Sequence, residues 1–439
     1  VLRGISNPSR KQGGGLMRFS IITLGCKVNA YESQFYAKQL KEAGWEEDNE
    51  TFDVVLINSC AVTNTAASKS RQMLHKAKRN NPNAYSVLIG CYAQVLSEEE
   101  KKAFDVDLII GAKHKKEIVD ILLEHMRSNQ KDDLSEDLAE PFAFESMPID
   151  QFESKHRAFL KVQDGCNQFC SYCIIPYARG RERSLSSQEV IAIAKDLEEK
   201  GHIEIVLTGI HTGRYYDEKE KLDLAGLLKK LLENTGEQVK YRISSIEITE
   251  VSDELINLMK KEPRLLHHLH IPIQSGCDRT LKRMNRPYTV AEFEERLSLL
   301  RSKIPDLSIS TDVICGFKQE SEEEFQETLK TLERLRFSFL HVFPYSIRKG
   351  TAAEKMKGDV HGAVVKERVN ALLRLSDRLR KIDMERFDTL EVLLESKKGN
   401  EMHGYTNQYH PVIIKKDSLH QGRIYTPYTT IKDNVYIVE

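Results

Sequence analysis

No stretch of the 439-residue chain approaches the roughly 18 consecutive apolar residues that a membrane-crossing helix needs. The opening residues, VLRGISNPSRKQGGGLM, lack the apolar segment of a secretory leader. Together these absences lead us to expect a cytoplasmic protein. An excess of one charge is also missing: 65 Lys and Arg face 66 Asp and Glu, a formal net charge of -1. No whole-molecule field draws the chain to nucleic acid or an anionic membrane, so any polyanion site must be local. Tryptophan occurs once, at Trp45, which reads as a packing residue. Eight cysteines are too few for a disulfide scaffold in a chain of this length. With 40% hydrophobic and 30% charged residues, the composition is that of a folded chain rather than a disordered one.

From Met17 short β-rich runs alternate with helical ones. FSIITL (19–24), FDVVLIN (52–58), YSVLIG (85–90) and DVDLIIG (105–111) read as strands, with helical stretches from Tyr31 and Thr65. The runs are continuously apolar, as strands covered on both faces of a parallel sheet require, so 17–126 is expected to be a doubly wound α/β domain. Residues 1–16 read as a tail or extension, and 127–156, which contains DDLSEDLAEP, as a linker. A second series follows: AFLKVQ (158–163), IEIVLTG (203–209), YRISSIE (241–247), HLHIPI (268–273), LSISTDVI (307–314) and FLHVFPY (339–345). Helical segments separate these six strands, fewer than the eight of a closed barrel. Residues 157–385 are therefore expected to form a partial (β/α)6 barrel, completed by an amphipathic helix near 364–386. EVLLES, PVIIKK, GRIYTPY and VYIVE, within 386–439, suggest a small terminal β-barrel.

Three cysteines crowd into GCNQFCSYC as Cys166-x3-Cys170-x2-Cys173, directly after the first strand of the second series. Three thiolates so spaced can hold three irons of a four-iron cluster, leaving the fourth iron open to a substrate or cofactor. No fourth Cys or His stands at a short zinc-finger spacing, and the motif sits at the catalytic end of the barrel. Both facts weigh against a structural zinc loop or inert buried thiols. Cys26, Cys60 and Cys91 each lie within two residues of the end of one of the first three strands. In a parallel sheet those ends share one edge, where the three can meet, although isolated cysteines more often pack as small hydrophobes. Cys277 and Cys315 read as non-ligands, and His268 with His270, lacking a third partner, as hydrogen-bonded core.

TLGCKVNAYES, INSCAVTNTAASKSRQ, IGCYAQ, DGCNQFCSYCIIPYARGRERS, EIVLTGIHTG, HLHIPIQSGCDRTLKRMNRPYT and HVFPYSIRKGT together resemble the radical S-adenosylmethionine methylthiotransferase family. The resemblance runs over nearly the whole chain from about Ser20. TLGCKVN with TGIHTG is similar to the branch acting on N6-threonylcarbamoyladenosine of tRNA, rather than to the isopentenyladenosine or ribosomal-protein branches. It implies two 4Fe-4S clusters: a radical cluster on Cys166, Cys170 and Cys173, whose open iron S-adenosyl-L-methionine chelates, and an auxiliary cluster on Cys26, Cys60 and Cys91. It also implies a C-terminal TRAM domain that binds RNA. The implied reaction converts the base beside the anticodon to its 2-methylthio derivative. One S-adenosylmethionine methylates a sulfur on the auxiliary cluster, and a second yields the 5′-deoxyadenosyl radical that activates adenine C2. Partners implied are tRNA, a reductase or flavodoxin-type electron donor and a sulfur donor. The alternative of another class is an iron-sulfur electron carrier or RNA-binding redox sensor, which gains nothing from an open iron.

The aromatic before the last cysteine of the motif is Tyr172. On the same resemblance Thr208, Gly209 and Ile210, at the end of a barrel strand, are expected beside the methionine end of the cofactor. Ser244, Gln274, Ser275, Thr311 and Asp312 are candidates to reach the cofactor or adenine, and Gly316 to admit the adenosyl group closely. The family usually has Gly-Phe-Pro-Gly-Glu at that point, whereas this chain has Gly316-Phe317-Lys318-Gln319-Glu320. Arg179, Arg181, Arg183 and Arg348, the last flanked by Lys349, are candidates to hold RNA phosphates. Tyr405, Tyr409, Tyr425 and Tyr428 are possible base-stacking surfaces.

Overall fold

A computed structural model describes residues 15–62, 64–128, 131–149, 156–415 and 422–439. Residues 1–14 of the expected tail, and 129–130 and 150–155 of the expected linker, lie outside the described residues. The first unit is a parallel sheet whose order is β2 (Glu46–Glu47), β1 (Arg18–Thr23), β3 (Val54–Ser59), β4 (Tyr85–Gly90), β5 (Leu108–Ile109) and β6 (Asp132–Asp133). Every residue of β3 is buried, which is why its sequence runs apolar without alternation. Val54 and Leu56 pack under α1 (Lys27–Glu42), with Tyr31, Phe35 and Leu40. Val55 and Ile57 face the opposite side, with Ala67 and Leu74 of α2 (Asn64–Asn80). The sheet is thus doubly wound, and its order reverses between β1 and β3, the place where such sheets open a crevice for ligands.

The segment expected as a linker does more than connect. It supplies β6 to the sheet edge, and Leu138, Met147 and Ile149 are buried, with Tyr31 Oη donating to the Met147 carbonyl at 2.5 Å. Its lack of an apolar period reflects single anchoring side chains rather than a regular face.

The second unit carries the six expected strands, Arg157–Lys161, Glu204–Thr208, Lys240–Ile243, His268–His270, Ser308–Cys315 and Phe339–Pro344. Neighbours in each ladder run parallel. Bridges Tyr241 to Leu265 and Ser245 to His270 join the two three-stranded ladders into one curved half-barrel. The helix Gly362–Met384 packs on its last strand. The C-terminal unit is a curled six-stranded sheet with its own core around Val392, Leu394 and Tyr436. Its loop after Glu401–Thr406 enters the amino-terminal end of the half-barrel, where Arg242 donates to the Asn407 carbonyl at 2.9 Å and His268 meets Tyr409 at 5.2 Å between rings.

A buried ionic cluster docks the first sheet on the half-barrel. Glu32 of α1 accepts from Lys115, Lys161 and Arg179, each at 2.8 Å. Asp164 accepts from Lys161 at 2.7 Å, Arg183 at 3.0 Å and Arg179 at 3.2 Å. Burial alone would raise the pKa of both carboxyls. Arg179, Lys115 and Lys161 overcome it at Glu32, and Lys161, Arg183 and Arg179 at Asp164, so both sit well below the usual range. Their folded-state affinity for protons is reduced, so the stabilisation they bring is complete above about pH 4–5 and is lost as pH falls below it. Replacing Glu32 by Gln leaves Lys115, Lys161 and Arg179 short of a counter-charge and should cost about 3–5 kcal/mol. Urea unfolding followed at neutral pH should show an earlier transition in Glu32→Gln, with the gap to wild type closing toward pH 3.

Candidate functional site

Both cysteine trios stand at the carboxyl ends of parallel strands. Cys26 is the residue before α1, Cys60 follows β3 directly and Cys91 follows β4 directly. Gly25, at φ +111°, lets the first loop press on the second: a Cβ there would lie 2.8 Å from the Cys60 Cβ. Cys26 and Cys91 thiols both lie 3.9 Å from Asn29 Oδ1. The Arg179 guanidinium donates to Cys91 Sγ at 3.0 Å and to Asn29 Oδ1 at 2.8 Å. Burial pushes the Cys91 thiol up to about 12, against the pull of Arg179.

The other trio follows Arg157–Lys161 on a loop pinned by the Cys166 N–H to the Gly180 carbonyl at 3.1 Å and the Cys173 N–H to the Cys170 carbonyl at 3.0 Å. Arg286 donates to Cys170 Sγ at 3.2 Å, while a second arm pairs with Glu247. The Gln168 N–H donates to Cys166 Sγ at 3.3 Å, and His211 Nδ1 lies 3.6 Å from the same sulfur. Burial works against charge on His211, but Cys166, Glu182 and Glu250 outweigh it and raise its pKa to about 12. Burial raises the Cys173 thiol to about 12 as well. Thiols this reluctant to ionise in a dry setting, yet met by Arg and backbone donors, suit metal ligation, where the metal supplies the positive charge. Each trio offers three sulfurs, the donor type of an iron-sulfur cluster, and donor atoms of Glu182 and His211 lie within 4.8 Å of Cys166 Sγ.

Beside Cys173 lies an open recess with a cavity volume of about 180 Å³. Val62, two residues after Cys60, forms one wall and Cys173 another, with Tyr172, Gln274, Asp312 and Arg348 among the remaining lining. The expected residues divide here. Tyr172 packs edge-on against Phe317, and its hydroxyl lies 3.5 Å from Arg286. Gln274 holds φ +66°, with its N–H on the Asp312 carbonyl, and Asp312 is met by His270 Nε2 at 3.2 Å. Thr208 Oγ1 is buried without a hydrogen-bond partner, Gly209 abuts Gln163, Ile210 is half-buried and Ser244 bonds Thr212 at 3.1 Å.

Several expectations are corrected. Gly316, at φ +73°, faces Val365, where a Cβ would sit 2.6 Å from a methyl, so the packing of the closing helix also requires a glycine there. Gln319, in the place of the second glycine, adopts φ +62°, held by its N–H on the Gly358 carbonyl at 2.7 Å. Ser275 and Thr311 are buried and bond Thr328 and the Ile271 carbonyl. Arg179, 1% exposed, is consumed by Glu32, Asp164, Asn29 and Cys91 and does not reach a phosphate. Arg183 is bound to Asp164 and to the Arg179 carbonyl, and stacks on Phe142. Arg348, 7% exposed, donates to the Val62 carbonyl and faces the recess rather than the outer surface. Arg181 alone of the four is exposed. Cys277 and Cys315 are buried apart from both trios, bonding Glu327 and the Val365 carbonyl, and His268 and His270 share Ser310. Tyr409 is interior and stacked on Tyr405 at 4.9 Å, Tyr428 packs on Tyr436, and Tyr425 is 72% exposed.

The sequence reading missed Arg286, His211 and a rim beside the cluster loop. There Phe169 and Tyr177, both exposed, meet edge-on at 5.8 Å, with Arg181 over the Phe169 ring at 5.7 Å and Lys349 nearby. Two exposed aromatics next to arginine are the only signal that foretold it.

Residues 160–332 match the Radical SAM superfamily and residues 18–111 match an uncharacterised protein family, UPF0004. Threonylcarbamoyladenosine tRNA methylthiotransferase MtaB of Bacillus subtilis (strain 168) is 40% identical over 90% of this chain and 89% of its own. The protein of the same name from Aquifex aeolicus (strain VF5) is 38% identical over 83% and 89%. A Thermoanaerobacter sp. (strain X514) protein named tRNA-2-methylthio-N(6)-dimethylallyladenosine synthase is 36% identical over 87% and 83%. Among solved structures, the radical S-adenosylmethionine methyltransferase TsrM from Kitasatospora setae aligns over 77% of this chain and 76% of its own, with TM-score 0.57 and 11% identity, a likeness of fold. Among the described residues no helix is long and apolar enough to cross a membrane. Relatives this similar along most of both chains leave one placement: the chain belongs to the radical S-adenosylmethionine methylthiotransferase family.

Proposed function

We propose that the chain converts N6-threonylcarbamoyladenosine beside the tRNA anticodon to its 2-methylthio derivative, in the cytoplasm. The observation that carries the reading is a recess lined both by Cys173 of one trio and by Val62, two residues after Cys60 of the other, in a chain whose relatives named for this substrate are 34–40% identical. Cys166, Cys170 and Cys173 would hold the radical 4Fe-4S cluster, and Cys26, Cys60 and Cys91 a second one. When bound, the clusters and S-adenosyl-L-methionine supply an electron, a radical able to activate an unreactive C–H bond, and a site for the sulfur to be transferred.

The chain's own groups set the geometry. Arg286 and His211 bias the first trio, and Arg179 the second, by hydrogen bonds to sulfur. Tyr172, Gln274 and Asp312 line the space between, with the buried Thr208 hydroxyl and the Gly209, Ile210 and Ser244 backbone at the strand ends. Arg181, Phe169, Tyr177 and Lys349 form the rim on which the anticodon loop would rest, stacking and neutralising phosphate. The C-terminal sheet, with Tyr425 outward, would add RNA contacts. An electron donor and a sulfur donor complete the reaction.

Mass spectrometry of tRNA nucleosides tests the reading. Cells without the gene should lose the methylthio-threonylcarbamoyl nucleoside; its persistence, absent a second enzyme, discards the substrate. Protein reconstituted anaerobically should carry about eight irons per chain, and Cys26→Ala, Cys60→Ala and Cys91→Ala together about four, as two four-iron clusters require. In the Arg286→Gln variant the radical cluster loses a positive donor to sulfur, so its midpoint potential, followed by EPR-monitored titration, should move tens of millivolts more negative.

A further inference from the structure

Lys27, the residue after Cys26, opens α1. Its side chain is exposed to solvent and reaches the C-terminal loop. The ammonium stands 5.4 Å from the centre of the Tyr409 ring. The Arg242 and Arg157 guanidinium groups lie 4.7 Å and 5.4 Å from the same ring. Three cations therefore converge on one aromatic.

The carboxylates of this region are already shared. Glu204 serves Arg157, Arg242 and Arg423, Glu395 serves Arg157, and Glu391 serves Lys240 and Arg423. Four cations thus divide three carboxylates, and Lys27 makes no ion pair among the described residues. Asp312, toward the recess, is engaged by His270. The region is short of an anion, and an accessible ammonium with no carboxylate partner can take one from a guest.

We propose that Lys27 binds the threonine carboxylate of the N6-threonylcarbamoyl group and selects that base over adenosines with an uncharged N6 substituent. This rests on the substrate reading given above. In adenine, C2 and the N6-bearing carbon flank N1 on one edge of the ring. A base presenting C2 to the Cys26, Cys60 and Cys91 trio must therefore carry its N6 substituent past the immediate neighbours of that trio. Lys27 is such a neighbour, bonded through the backbone to Cys26. An isopentenyl group offers nothing to pair with an ammonium, and bringing it there would cover the charge without supplying a partner.

The test compares three anticodon hairpins, bearing threonylcarbamoyladenosine, isopentenyladenosine or unmodified adenosine, on reconstituted wild type, Lys27→Gln and Lys27→Arg. Affinity is read by fluorescence anisotropy, turnover by nucleoside mass spectrometry, and iron content verifies intact clusters. Wild type should bind the threonylcarbamoyl hairpin about 10- to 100-fold more tightly than the unmodified one, as a charge-assisted contact provides. Lys27→Gln should erase that ratio through KM and affinity, and Lys27→Arg should keep most of it. An unchanged ratio in Lys27→Gln overturns the assignment. Equal weakening on all three hairpins overturns it too, by assigning Lys27 to backbone phosphate. Wild type that turns over only the isopentenyl hairpin overturns the substrate reading itself, which separates that failure from failure of Lys27.

Discussion

Two carboxylates and four cations, shut away from water, fix how the first sheet sits on the half-barrel. Glu32 comes from α1, Lys115 from beyond β5, Lys161 and Asp164 from the first barrel strand and the turn after it, and Arg179 and Arg183 from beyond the cluster loop. An apolar interface of the same area would be at least as stable, since desolvating six charges is expensive. What an ionic interface adds is angle. Each bond has a direction, and a sliding or rotated sheet would strand a charge. The same Arg179 that closes this network also reaches Cys91, so the position of one sulfur trio is tied to the loop that carries the other. The spacing of the two trios follows from this docking, and so does the recess, because its walls come from both units.

The half-barrel below the recess has a floor. The C-terminal loop carrying Tyr409 plugs the amino-terminal end of the half-barrel, and Arg242 anchors it through the Asn407 carbonyl. From that floor a line of side chains climbs toward the recess: His268 to Ser310 at 3.1 Å, Ser310 to His270 at 2.9 Å, His270 to Asp312 at 3.2 Å. Burial and the nearby Arg242 keep His268 well below its usual pKa, so it remains neutral and serves as a hydrogen-bonding spacer. The terminal sheet therefore shapes the interior of the half-barrel in addition to presenting an outer surface.

Much of this was legible in the sequence, for a definite reason. Parallel strands buried on both faces must be apolar throughout, so β3 and β4 announce themselves, and their ends locate Cys60 and Cys91 without any knowledge of the packing between units. The trio at Cys166 is local and needs only its spacing. Arg179 could not be read, because its partner Glu32 is 147 residues away and a run of three alternate arginines looks like a solvated loop. Only the docking shows that one of the three is interior, one half-committed and one free. At Gly316 the contact with Val365 was likewise hidden, because a glycine required by a neighbouring helix carries the same letter as one required by a ligand. The buried residues of 131–149 were invisible because anchors without a period leave no pattern.

On the proposed reading the geometry also constrains how a nucleotide enters. The recess is lined by residues of two units, so a base stacked in a helix cannot bring its C2 edge to the Cys26 trio; the nucleotide must leave its stack. A loop beside the anticodon loses less on unstacking than a duplex does, and Phe169 and Tyr177 at the rim offer replacement faces to the neighbouring bases. Arg181, the exposed arginine of its segment, lies over the Phe169 ring and can meet phosphate without moving the ionic cluster behind it. Charges that hold the units together are thereby kept apart from the charge that meets RNA. Binding the polyanion does not compete for the interactions that set the distance between the two sets of sulfurs.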